Sequence, residues 1–210
     1  MTVLEVGKCA LLLMDLQNEI VHRDGFVGGQ GMAAEAEERH VVENSTRVLH
    51  IARLEKIPVF HVGMAFRNGY PDVNARAPIF QGIVAAGALL DGSWGTQFLP
   101  QVRPLEGEPI VFKRGIGAFA GTDLRRMLQV SSIETLVLAG VATNFVVEAT
   151  ARQAVDEGFR VITLRDCCAT FNGAMHDNSL GFLSFLGAVV TVDEFAIAAR
   201  SHSASGPTKA

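Results

Sequence analysis

The 210-residue chain has little of what secreted, membrane-spanning and nucleic-acid-binding proteins require. Its three cysteines are an odd number, and two are adjacent at Cys167 and Cys168, which excludes a disulfide scaffold and favours a reducing, cytoplasmic location. The apolar run near the N-terminus is too short to cross a bilayer and follows no basic segment, so we expect neither a signal peptide nor a membrane partner. A formal net charge of −4 argues against a nucleic-acid partner.

What the sequence does contain is the composition of a globular domain. Apolar residues make up 49% and charged residues 19%, a balance typical of a chain that buries a core and unlike that of a disordered one. The length suits one domain, and no repeat or linker divides it. We therefore expect a single domain over residues 1–200 and a flexible C-terminal tail over residues 201–210, which are small and polar.

Short apolar segments alternate with helical ones along the chain. The apolar segments predict six strands, at residues 10–14, 59–62, 110–113, 136–139, 161–164 and 189–192. Helices are predicted between them, at residues 35–56, 144–157 and 176–186 and after a cap at Thr122. Residues 63–109 are predicted to form loops with short helices. Strands that are apolar on both faces predict a three-layer α/β/α, Rossmann-like fold with a mostly parallel six-stranded sheet.

Ligands of such sheets bind beyond the carboxyl ends of the strands, so the residues that follow the strands are candidates for a site. Asp15 follows the first predicted strand, and Lys113 ends the third. A carboxylate and an ammonium that meet in one crevice, both partly desolvated, form a common proton-transfer arrangement. A structural ion pair at the top of the sheet is the alternative interpretation.

The segments around these strand ends form a recognisable series. In chain order they are LLLMDLQNEI, VFKRGIGAFAGTDL, LAGVATNFVVEATARQAVDEGFRV and DCCAT. Together they resemble the isochorismatase-like hydrolases, which include nicotinamidases, N-carbamoylsarcosine amidohydrolases and isochorismatases. The first segment matches the family's aspartate at Asp15 and the second its lysine at Lys113. The resemblance covers residues 10–197 and implies the same α/β fold and a hydrolytic activity.

The third segment departs from the amidases of this family at one position. The amidases have the motif Gly-Val-Ala-Thr-Asn-x-Cys-Val, whose cysteine is a nucleophile at a helix N-terminus. Val146 stands at that position here, and a valine cannot attack a carbonyl. Cys167 and Cys168 follow a different strand, and buried cysteine usually serves as a small apolar residue. The amidase mechanism therefore cannot be carried over to this chain.

Three interpretations of Val146 remain. In the first, Val146 is an engineered exchange, although serine or alanine is the usual choice for one. In the second, the chain has lost its chemistry and is a non-catalytic small-molecule-binding or scaffold protein, or an inactivated amidohydrolase. In the third, the chain is an enzyme that hydrolyses its substrate without a covalent step. Isochorismatase and a phenazine-pathway relative also lack the cysteine, and in them the aspartate protonates an enol carbon before water adds. That branch implies Asp15 as general acid or base, Lys113 as the group that tunes it, and a small polar metabolite as substrate.

Neighbouring residues resemble the amidases more than the isochorismatases, which leaves the substrate open. Isochorismatases have Gly-Val-Tyr-Ala-His where residues 140–144 are Gly-Val-Ala-Thr-Asn, and Lys-Trp-Arg where residues 113–115 are Lys-Arg-Gly. The resemblance also implies a cis peptide between Val141 and Ala142. Such a turn would aim the backbone N–H groups near Ala142 and Val146 at a substrate oxygen.

Four further side chains are candidates for binding the substrate. Arg67 could clamp a carboxylate, with a surface salt bridge as the alternative. Trp94 and Phe119 could wall an apolar pocket, although Trp94 could instead pack against a neighbouring subunit. Gln17 could hydrogen-bond the substrate or hold the loop after Asp15.

Neither a metal nor a cofactor is predicted. The six histidines have no ligand spacing, and the Asp-x-His pair of nicotinamidases is absent at His61-Val62-Gly63. His61 is predicted to be a core residue, and His176 a cap or a surface residue. The glycines of KRGIGAF lack the patterns of phosphate-binding loops. Because members of the family are commonly oligomeric, the resemblance implies a homo-oligomer, a dimer or a tetramer.

Overall fold

The computed structural model of the protein describes residues 8–205. Within this range a six-stranded sheet has the order β3-β2-β1-β4-β5-β6, and every neighbouring pair is parallel. Its strands are β1 (Cys9–Met14), β2 (Val59–Met64), β3 (Ile110–Lys113), β4 (Thr135–Val141), β5 (Arg160–Ala169) and β6 (Ala188–Val190). Strand β1 lies in the middle of this order and pairs with β2 on one side and with β4 on the other.

The α-helices connect these strands, except for the last helix, which follows strand β6. They are α1 (Asn18–Val21), α2 (Met32–Glu38), α3 (Val41–Leu54), α4 (Pro78–Ala86), α5 (Leu124–Val130), α6 (Glu148–Asp156), α7 (Gly173–Leu183) and α8 (Val192–Ser205). Between Lys8 and Ser205, none of the helices has the length and apolar character needed to span a membrane.

Two apolar cores lie on opposite faces of the sheet, because successive residues of a strand point to opposite sides. Leu11 of β1 belongs to one core, together with Leu49 of α3. Leu12 belongs to the other, together with Leu128 of α5 and Ala151 of α6. The sheet is therefore covered by helices on both faces, and the predicted three-layer α/β/α fold with a parallel six-stranded sheet is confirmed.

Two helices replace the single helix predicted over residues 35–56. Helix α2 ends at Glu38 and α3 begins at Val41. Between them His40 has φ = 54°, in the left-handed region, which ends the hydrogen-bonded ladder of a right-handed helix. The prediction of one continuous helix is therefore wrong. The sequence did not reveal the break because no glycine or proline marks it.

The C-terminal part of the chain also differs from expectation. Strand β5 continues past the predicted end at residue 164 to Ala169. Helix α8 was not predicted; the N–H of its first residue, Val192, donates to the carboxylate of Asp166 at 3.0 Å. Because α8 continues to Ser205, residues 201–205 are helical and do not belong to a tail. Residues 206–210 of the predicted tail lie outside the described residues.

Candidate active site

A cavity of about 230 Å³ lies at the carboxyl end of the sheet, where β1, β3 and β4 end. Asp15 and Lys113 form part of its wall, and Val141, Ala142 and Val146 form another part. These residues come from three segments that are far apart in the sequence. The fold thus brings together the three positions predicted to be catalytic and one of the predicted substrate-binding residues, Ala142.

Asp15 and Lys113 form a buried ion pair in this wall. Lys113 Nζ lies 2.9 Å from Asp15 Oδ2, and only 1% and 8% of the two side chains are exposed. Lys113 Nζ also donates a hydrogen bond to the carbonyl of Gly115 at 3.2 Å. The N–H of Asp15 donates to the carbonyl of Val62 at 2.8 Å, so the backbone at the end of β1 is held against β2.

The second carboxylate oxygen of Asp15 differs from the first. Oδ1 is buried but has no hydrogen-bond partner among the described residues. Burial raises the pKa of Asp15, and the Lys113 ammonium offsets this effect only in part. A buried carboxyl group with a raised pKa and a free oxygen can hold a proton and donate it to a ligand.

The segment that follows β4 forms a second wall of the cavity. The peptide bond between Val141 and Ala142 is cis, as the family resemblance implied. Residues Thr143–Val147 then form one π-helical turn that leads into α6. Val146 lies in this turn with 1% of its surface exposed, and its side chain helps to line the cavity.

Two side-chain hydrogen bonds hold this turn, one with His176 of α7 and one from Thr170, which follows β5. Thr143 Oγ1 lies 2.8 Å from His176 Nδ1, and Thr170 Oγ1 donates to Asn144 Oδ1 at 2.6 Å. His176 is buried, and burial lowers its pKa. The prediction that His176 is a cap or a surface residue is wrong, because Asn172 caps α7 and His176 packs against the turn.

Apart from Gln30, the rest of the cavity wall is apolar and comes from residues that were not predicted to line a site. They lie in and after α1, at the start of α2, at the end of β2, in α4 and after β3, β4 and β5: Ile20, Phe26, Val27, Met32, Met64, Pro78, Ile79, Gly82, Ile83, Ile116, Phe145 and Phe171. A proline at the first position of α4 and Gly87 just after its end are sequence signals that could have located one of these segments. Phe26 and Phe171 lie in segments without a periodic pattern and had no such signal.

Arg67 and Trp94 lie outside this cavity. The Arg67 side chain is 74% exposed, and its Nε lies 4.0 Å from Asp72, which makes a weak surface pair. Trp94 is half-exposed and packs edge-on against His22, with 5.2 Å between the ring centroids. Because the guanidinium stays in solvent, the structure does not place Arg67 as a clamp in this cavity.

Phe119 and Gln17 also lie outside the cavity, in the interior of the protein. Phe119 belongs to the core on the α5 and α6 side and stacks on Phe159 at 6.3 Å. Gln17 is fully buried; its Oε1 accepts from the N–H of Met64 at 2.7 Å, and its Nε2 donates to the carbonyls of Met64 and Thr96. Gln17 therefore has the second of its two predicted roles, holding the loop after Asp15.

The described lining residues include no cysteine, histidine or glutamate. Burial in β5 raises the pKa of Cys168 to about 12 and that of Cys167 well above its ordinary range, so both thiols stay protonated. His61 is buried with its Nε2 2.8 Å from Glu108, in agreement with its predicted place in the core. One carboxylate beside one ammonium does not fit the ligand set of the metal that nicotinamidases bind.

Comparison with known proteins defines the class of this fold and site. A solved isochorismatase-like hydrolase from Alkaliphilus metalliredigens has a TM-score of 0.75 at 30% identity and covers 90% of this chain and 98% of its own. The Bacillus subtilis isochorismatase family protein YwoC is 31% identical over 194 residues, which is 91% of this chain and 94% of YwoC. Maleamate amidohydrolase from Pseudomonas putida is 32% identical over 178 residues, covering 82% of this chain and 78% of that enzyme.

The isochorismatase domain matches residues 9–194. The chain therefore belongs to the isochorismatase family, as its four sequence segments implied. Membership places the protein among hydrolases.

Proposed function

We propose that the protein hydrolyses a small molecule without a covalent intermediate and uses Asp15 as the proton donor. The observation that carries this proposal is Asp15 Oδ1, a buried carboxyl oxygen without a partner in the described chain, on a residue that lines a cavity. Val146 stands where the amidases of the family have a nucleophilic cysteine, and its side chain has no atom that could attack a substrate.

The reaction that this arrangement supports best is the acid-catalysed cleavage of an enol ether. Asp15 transfers its proton to the terminal enol carbon, which leaves a carboxylate on Asp15 and an oxocarbenium ion on the substrate. Lys113 stabilises this carboxylate from 2.9 Å. A water molecule adds to the cation and returns a proton to Asp15, and the adduct then breaks into a carbonyl compound and an alcohol.

The turn after β4 has a supporting role in this proposal. Ala142 and Val146 line the cavity, and backbone N–H groups near them would hold the ether oxygen as its bond breaks. The hydrogen bonds to Thr143 and Asn144 from the neighbouring elements keep this turn in place. Val146 itself acts as an apolar wall that keeps bulk water away from the cation.

The test is the release of carbonyl products from two enol ethers, phenyl vinyl ether and isochorismate, which yield acetaldehyde and pyruvate. We expect release from at least one ether, and we expect Asp15→Asn to slow it by about 10²–10⁴-fold because the proton donor is lost. Release by the Asp15→Asn variant at the wild-type rate would contradict the proposal. So would the absence of product from both ethers with the wild-type protein.

Val146→Cys distinguishes this proposal from the two other interpretations of the chain. A wild type that leaves both ethers intact, together with a Val146→Cys variant that hydrolyses amides, would identify an inactivated amidohydrolase. A protein that binds small molecules but turns over neither ethers nor amides, with either residue at this position, would identify a non-catalytic binding protein.

A further inference from the structure

Among the described residues that line the cavity, the charged side chains are those of the Asp15–Lys113 pair. Lys113 is the one cationic side chain in the described lining, and it is already paired with Asp15 at 2.9 Å. Gln30 adds the only other polar side chain to that lining, and its Nε2 donates to the carbonyl of Phe26. A polar group of a ligand therefore finds partners at the Asp15–Lys113 pair and few beyond it.

Gln30 apart, the remaining side chains of the described lining are apolar. Ile79 and Ile83 of α4 contribute to this apolar lining, as do the rings of Phe145 and Phe171, which contact each other edge to face with 6.5 Å between their centroids. A carboxylate placed against these side chains would lose its hydration and gain no cation in return. Arg67, the guanidinium predicted to provide that cation, lies in solvent with 74% of its side chain exposed.

The cavity volume limits the size of the ligand. An apolar protein cavity of about 150 Å³ accommodates benzene. A cavity of about 230 Å³ therefore holds a body of about nine non-hydrogen atoms at the same density, which is a phenyl ring with a short side chain.

We propose that the substrate is a small molecule with one polar reacting group at Asp15 and Lys113 and an apolar, ring-sized body that has no second charged group. The reaction part of this inference rests on the proposed function, whereas the choice of ligand rests on the cavity alone. Dicarboxylates are therefore poor ligands, and isochorismate, which is one, is a poorer substrate than the uncharged phenyl vinyl ether.

The experiment measures binding and turnover separately. Binding of benzamide, glutaramate and glutarate is measured by calorimetry; all three match the estimated capacity in non-hydrogen atoms, and the last two differ only in charge at one end. We expect benzamide to bind, and glutaramate to bind about tenfold or more tightly than glutarate. Glutarate binding as tightly as glutaramate, or benzamide failing to bind at about millimolar concentration, would overturn the inference.

A charge added to the apolar wall sharpens the test. Ile79→Lys places an ammonium at the cavity wall, on a residue that is 39% exposed. We expect it to raise the affinity for glutarate about tenfold. Val155→Lys is the matched control, because Val155 is also 39% exposed but lies on α6 outside the lining. Equal gains in both variants would mean non-specific attraction and contradict the inference.

Turnover separates the failure of this inference from the failure of the proposed function. Asp15-dependent cleavage of isochorismate but not of phenyl vinyl ether would support the proposed function and overturn the inference. Tight binding of benzamide and selection against glutarate, without cleavage of either ether, would support the inference and overturn the proposed function.

Discussion

The two ends of β3 each have a carboxylate beside a cation, but the two groups are built differently. Just before β3, Glu108 accepts hydrogen bonds from Arg53 Nε at 2.7 Å and Nη2 at 2.8 Å and from the N–H of Leu105 at 2.9 Å, and His61 Nε2 lies 2.8 Å away. At the other end of β3, Lys113 contacts only one oxygen of Asp15, at 2.9 Å. Both oxygens of Glu108 have partners, whereas Asp15 Oδ1 has none among the described residues.

This difference shifts the pKa values of the two carboxyl groups from their ordinary values in opposite directions. Burial by itself raises the pKa of Glu108, but hydrogen bonds from Arg53, Leu105 and His61 lower it to about 2. Burial raises the pKa of Asp15, and Lys113 offsets this rise only in part. A carboxylate with a full set of donors is fixed in its charged form, and one with too few can exchange a proton. We therefore interpret the Glu108 cluster as structural and the Asp15 pair as functional.

The largest expected effect is on the rate of hydrolysis. Asp15→Asn should slow ether cleavage by about 10²–10⁴-fold, because the variant has no proton to donate. Glu108→Gln should leave kcat within about twofold, since Glu108 does not line the cavity. Initial rates of the two variants, each measured below its unfolding temperature, test this contrast. A comparable loss of kcat in Glu108→Gln would remove the distinction between the two ends of β3.

The second prediction concerns the stability of the buried pair. Lys113→Met leaves Asp15 without its cation and should lower the free energy of unfolding by about 3–5 kcal/mol at neutral pH. The double variant Asp15→Asn/Lys113→Met has no buried charge and should recover most of this loss, while remaining inactive. Urea unfolding of both variants measures these effects. A double variant no more stable than Lys113→Met would contradict this prediction, because the loss would then not come from an unpaired buried charge.

The third prediction is the pH dependence of stability, which has opposite signs for the two carboxyl groups. The folded-state pKa of Glu108 is lowered from 4.5 to about 2, so its contribution is present above 4.5 and is lost as the pH falls toward 2. The folded-state pKa of Asp15 is raised above its ordinary value of 3.8, so the folded state binds this proton more tightly than the unfolded state does. The stability that this proton contributes is present below pH 3.8 and is lost as the pH rises from 3.8 through the folded-state pKa.

Unfolding free energies of the wild type and two variants across this pH range test these signs. The stability advantage of the wild type over Glu108→Gln should shrink as the pH falls. Relative to Asp15→Asn, the wild type should become less stable as the pH rises. Parallel pH profiles for the two variants would contradict the opposite assignment of the two groups.

The smallest effect is expected at Arg67. Because its side chain is 74% exposed and pairs with Asp72 only at 4.0 Å, Arg67→Ala should change the unfolding free energy by less than about 0.5 kcal/mol. The KM for any substrate that is turned over should also stay within about twofold. A large rise in KM would mean that Arg67 moves into the cavity when the substrate binds.

The ends of β1 and β3 could be predicted from the sequence, and the apolar wall could not. Asp15 and Lys113 follow short apolar runs, and the rule that ligands bind at the carboxyl ends of parallel strands places them together. The wall residues Phe26 and Phe171 lie in irregular segments, where no hydrophobic period marks which side chain faces inward. Their positions depend on how distant segments pack.

Buried polar contacts could not be predicted from the sequence either. His176 lies near a helix start and is predicted to be a cap or a surface residue, but its partner Thr143 is far away in the sequence and near only in the fold. The left-handed His40 that divides α2 from α3 likewise has no glycine or proline beside it. Local residue preference is a weak signal when tertiary contacts decide the conformation.

The most direct test of the account is the carboxyl titration of Asp15 itself. The chain is labelled with ¹³C at its Asp and Glu carboxyl carbons, and the Asp15 and Glu108 signals are assigned by their loss in Asp15→Asn and Glu108→Gln. We predict that Asp15 titrates above its ordinary value of 3.8 and that Glu108 remains ionised down to a pH of about 2. An Asp15 signal that titrates at or below 3.8 would identify an ordinary structural ion pair and contradict the role of Asp15 as the proton donor.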